Sequence, residues 1–136
     1  MVKSKSFSIV ISIACYIAAI GVGFLAFNYI APDIHFLLKL LIADLCATVF
    51  IFLTSLFFNN SSMYDPYWSV KPMAFAFVYL FETGVGDAGA AQWSAFILLQ
   101  LYGLRLTSNF YRDWPGLKHE DWRYVCFTNL TLSNPD

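Results

Sequence analysis

A chain of 136 residues that is 59% hydrophobic and 12% charged, with mean hydropathy +0.61, is too apolar for a soluble domain; such domains sit near roughly 45–50% apolar. Its net charge of −1 offers no basic field for nucleic acid, which is excluded as a partner. Cys15, Cys46 and Cys126 lack metal-ligand spacing, as do His35 and His119, so no metal site is expected and the cysteines read as unpaired thiols.

The residues from Phe7 to Ala31 form an uncharged run. At about 1.5 Å per residue it reaches roughly 37 Å, enough to cross a hydrocarbon core of ~30 Å. Lys3 and Lys5 precede it in the manner of a signal peptide. The run is too long for a signal h-region, and no small-residue cleavage site follows, so it reads as a retained first span. Pro32 and Asp33 make a turn. A second span follows from Ile34 to Phe58, interrupted by Lys39 and Asp44. Lys39 lies near its end and can snorkel. Asp44 lies deeper, and an intramembrane carboxylate is either functional or an acid hydrogen-bonded inside the bundle, with Thr48 one turn on as a candidate partner.

The stretch from Asn59 to Pro72 is a loop that starts a helix, with Asp65 as its cap and Pro66 at its first position. Pro72 kinks or restarts that helix, and the third span covers about 66–82. The fourth covers about 92–107 and runs on as a helix toward Arg112, until Pro115-Gly116 breaks it. The expected fold is therefore all-α: one polytopic domain with about four transmembrane helices, near 7–31, 34–58, 66–82 and 92–107. With the N-terminus in the cytoplasm, Lys3, Lys5, Lys71, Arg105, Arg112, Lys118 and Arg123 share the cytoplasmic side and Lys39 alone opposes them. That asymmetry sets the predicted orientation of an integral, multi-pass protein.

The stretch Gly84 to Gly89 matches G-x-G-x-x-G but joins two apolar helices, so it reads as a turn and not a dinucleotide loop. The sequons at Asn59, Asn60 and Asn129 fall on the predicted cytoplasmic side, where no glycan is expected. Tyr102, Arg105, Asn109 and Arg112 share one helical face through their i, i+3, i+7, i+10 spacing. Two guanidiniums there suit a phosphate, on a ligand or on lipid headgroups. Glu120 and Asp121 fit an aromatic belt poorly and are expected to pair with Arg112 or Arg123.

The segments YDPYWSVKP (64–72), RLTSN (105–109) and WPGLKHEDWRY (114–124) resemble the uncharacterised branch of the steroid 5-alpha-reductase-like membrane family. The resemblance spans most of the chain after Asp44. It implies an all-helical membrane enzyme that uses NADPH to reduce an activated carbon–carbon double bond in a steroid or other lipid. It further implies Asp65 and Tyr102 as the acid and tyrosine that polarise the enone carbonyl, with Arg105, Asn109 and Arg112 on the cofactor side. Members of that family are longer, adding further spans and a cytoplasmic segment of the Arg-His-Pro-Asn-Tyr type. The resemblance thus makes this chain the N-terminal half of such a protein, inactive by itself. The rival expectation is a non-enzymatic membrane protein that binds lipids or a partner subunit.

Overall fold

A computed structural model describes residues 4–29 and 34–126; the expected turn at Pro32-Asp33 and the sequon at Asn129 lie outside them. Four long α-helices follow one another: α1 (Lys5–Tyr29), α2 (Phe36–Phe58), α3 (Tyr67–Glu82) and α4 (Ala90–Asp113). A 3-10 turn over Ser61–Tyr64 links α2 to α3. No strand occurs among the described residues.

Helices α1 and α2 are long and apolar enough to cross a membrane. Their most apolar stretches are only 22% and 17% buried, so most of that apolar surface points outward, as lipid contact requires. Between themselves they meet through small residues. Tyr16, Ala19 and Gly23 of α1 pack with Ala43, Ala47 and Ile51 of α2 across a buried seam. A side chain at Gly23 would bring its Cβ to 3.2 Å from the Ala43 carbonyl, so the backbones approach as small-residue membrane interfaces allow. Tyr16 and Ile51 are the exceptions in size; the Tyr16 hydroxyl donates to the Met63 carbonyl at 2.6 Å and anchors the 3-10 turn on α1.

Helices α3 and α4 form a second hairpin. Gly103 sits against Met73 and the Ser69 carbonyl, and the Ser69 and Thr107 hydroxyls share a hydrogen bond of 2.8 Å. Gln100 Nε2 donates to the Met73 carbonyl at 3.2 Å. Pro72 lies inside α3 without ending it. At 16 residues α3 rises only about 24 Å, less than a ~30 Å hydrocarbon core. The glycine-rich stretch is a turn between α3 and α4, with Gly84 at φ +85°.

One local expectation changes. Asp65 closes the 3-10 turn and does not cap α3, which begins at Tyr67 with Pro66 before it. Its carboxylate is drawn away by partners from the far end of the chain.

Candidate functional site

At the end of α2 the backbone turns sharply at Asn59, a non-glycine residue in the left-handed region at φ 49°. This places Asn60, 1% exposed, beneath the segment that follows α4. Asn60 Nδ2 donates to the carbonyls of Leu117 (2.8 Å) and His119 (2.9 Å). Glu120 Oε1 accepts from the Ser61 N–H at 3.0 Å, and the Asp121 N–H donates to Ser62 Oγ at 2.7 Å. Tyr124 donates its hydroxyl proton to Asp65 Oδ1 at 2.5 Å, and Arg123 reaches Asp65 Oδ2 at 3.3 Å. The sequence blocks NNSSMYD and HEDWRY are thus zipped together. Gly116, at φ +117°, fits against Ser8, which brings the start of α1 to the same end. Lys5 Nζ donates to the Arg112 carbonyl at 2.7 Å, and the Ser12 and Tyr111 hydroxyls meet at 2.8 Å.

Of the two acids, Asp121 does pair with Arg123 (2.8 Å), whereas Glu120 spends its carboxylate on a backbone N–H. The hydrogen bond from Arg123 holds the Asp121 carboxyl below the usual carboxylate range. Burial, and then the bond to Asp65, push the Tyr124 phenol above its ordinary value. A raised folded-state value means that this contact stabilises fully below the unfolded pKa of about 10 and is lost as pH climbs through the folded one. The wild type should therefore lose stability above about pH 10 more steeply than Tyr124→Phe, measured as thermal midpoint against pH. Parallel curves for the two proteins would show that the phenol is not held as described.

The residues singled out from sequence do not converge on one point. Tyr102 is 59% exposed, and Arg105 and Asn109 are exposed on the same helix. Arg112 is exposed and its Nε lies 3.2 Å from Asp113 Oδ1. Asp65 has Tyr124, not Tyr102, as its phenol partner. A groove of about 1020 Å³ opens where α4 ends. Asn109 is the single candidate residue that lines it, beside Trp114, Trp122, Asp113, Glu120 and Asp121. Those carboxylates disfavour an anionic phosphate inside the groove. Arg105 and Arg112 lie outside the groove lining, exposed on α4.

Three participants escaped the sequence reading: Asn60, Tyr124 and Lys71. The ammonium of Lys71 lies 2.6 Å from Asp44 Oδ2, with both side chains largely buried. It also sits 5.2 Å from the Trp68 ring centroid and 5.9 Å from that of Phe75. Asp44 is therefore an ion-paired acid, not one bonded to Thr48, and Lys71 turns inward toward α2. The signal was present: a deep carboxylate needs a cation within side-chain reach.

The family model for a protein of unknown function (DUF1295) matches residues 51–133. The chain belongs to the DUF1295 family. That match takes in the last third of α2, both later helices and both zipped blocks. No curated protein and no solved structure matches this chain.

Proposed function

We propose that this DUF1295 protein is a four-span membrane protein, N-terminus cytoplasmic, that takes part in NADPH-dependent reduction of a carbon–carbon double bond in a steroid or other lipid. The observation that carries the reading is the exposed α4 face, where Tyr102, Arg105 and Asn109 project together and Arg112 follows at the helix end. Reduction of an enone needs a proton or hydrogen-bond donor at the carbonyl oxygen, because negative charge gathers there. Tyr102 would donate, from the apolar part of α4. Arg105, Asn109 and Arg112 would hold the cofactor phosphates and ribose one to three turns further along. Bound NADPH supplies the hydride. Asp65 would act from the zipped loops, holding Tyr124 and Arg123 and so the surface beside α4.

Arg112→Ala should weaken NADPH binding at least about tenfold, and weaken NADH binding less, because the 2′-phosphate adds charge for the guanidinium to meet. Titration of both nucleotides against the full chain in nanodiscs reads this. Equal loss for both would leave Arg112 a headgroup or structural role, and absence of NADPH binding in the wild type would remove the cofactor reading. The orientation is tested separately: in a cysteine-free background, Asp87→Cys should label from the side opposite the cytoplasm.

A second reading, a non-enzymatic lipid-binding protein, is favoured by one observation. The apolar chamber among the helices is lined by none of Asp65, Tyr102, Arg105, Asn109 and Arg112.

A further inference from the structure

That chamber has a volume of about 580 Å³ and lies among α1, α2 and α3, with Gln100 of α4 at its edge. The size falls within the ~300–1,000 Å³ of small-molecule sites. Its walls are mainly apolar: Phe24 and Phe27 from α1, Ala43 and Ala47 from α2, Phe75 and Phe77 from α3. Into this lining are set Asp44 and Lys71, the ion pair described above. The pair satisfies only half of the carboxylate. Asp44 Oδ1 is buried and has no hydrogen-bond partner among the described residues. A buried acceptor left in that state has given up its water without regaining a donor, and lipid tails can offer it nothing.

The unsatisfied atom defines what would fit. It is an acceptor, so the ligand must donate. Lys71 already neutralises the carboxylate at 2.6 Å, so a second cation would meet like charge and a neutral donor is favoured. The rest of the chamber asks for hydrocarbon. A carbonyl oxygen, which can only accept, would face Asp44 Oδ1 without a proton between them.

We infer that the chamber is a binding site for a lipid alcohol, whose hydroxyl donates to Asp44 Oδ1 while its hydrocarbon body fills the space between α1, α2 and α3. The site is separate from the reductase reading and shares no candidate residue with it. It predicts recognition of an alcohol where that reading predicts recognition of an enone.

The test is thermal unfolding of the full chain in detergent with geranylgeraniol, its methyl ether and its parent hydrocarbon. The alcohol should raise the midpoint saturably and with at least about tenfold higher apparent affinity than either analogue, as a hydrogen bond to a charged group implies. Asp44→Leu alone strands the Lys71 charge and can fail to fold. The informative variant is therefore Asp44→Leu/Lys71→Met, which removes both charges. It should still respond to all three compounds but with the preference for the alcohol gone. Ala74→Phe, which fills the chamber, should abolish the response to all three. Equal response of the wild type to alcohol, ether and hydrocarbon overturns the proposal, since the acceptor would then be met by water. Survival of the preference in the double variant overturns it as well. Neither result depends on Arg112 or on nucleotide binding.

Discussion

Lys71→Met is expected to lower stability by about 3–5 kcal/mol, because it strands a buried carboxylate. Asp44 lies in mid-α2 with a largely buried side chain, its Oδ2 on Lys71 and its Oδ1 without a partner. With the ammonium gone, the carboxylate would be left in the apolar lining that includes Phe75 and Ala47. Asp44→Leu/Lys71→Met should recover most of the loss, since replacing a whole buried pair by apolar side chains is often neutral or stabilising. Midpoints of thermal unfolding in one detergent would give both values. A Lys71→Met protein as stable as the wild type would mean that the pair is solvated and not set in the bundle.

Gly103→Ala should come next, at about 1–3 kcal/mol, as overpacking of a close helix contact. The added methyl would lie 2.2 Å from Met73 Sδ and 2.8 Å from the Ser69 carbonyl. A methionine side chain can swing aside, but a carbonyl within α3 cannot. The helices must separate, stretching the Ser69–Thr107 bond of 2.8 Å and the Gln100 bond to the Met73 carbonyl. Adding Met73→Ala should therefore restore only part of the loss. Full rescue by that second substitution would place the whole clash on the methionine.

Much of the helical layout was legible, because an uncharged run of spanning length has few alternatives. The boundaries of α1 and α2 fall within about two residues of expectation, the usual uncertainty of helix ends. What eluded the sequence was pairing across distance. Capping rules assign Asp65 to the helix that follows it, but its carboxylate is held by a tyrosine 59 residues onward. Asn60 reads as a sequon, whereas its amide serves two carbonyls across 57 and 59 residues. For Asp44 the local choice was Thr48, one turn away, and the partner came from another helix. The shared face of Tyr102, Arg105, Asn109 and Arg112 follows from helical period alone and is present. Its separation from Asp65 does not follow from period, since it depends on where the end of the chain folds back.

The zipped loops also set an order of events during synthesis. The hairpins α1–α2 and α3–α4 close through neighbouring segments and can form as each pair leaves the ribosome, whereas long loops close late. Asn60, Ser61 and Asp65 receive their partners only once residues 117–124 have emerged. Until then a bend destined for burial carries open polar groups at the end of α2. The segment from Leu117 to Tyr124 is therefore the latch that completes this end of the fold. A nascent chain halted before Leu117 would carry an unlatched bend, and one that has passed Tyr124 would not.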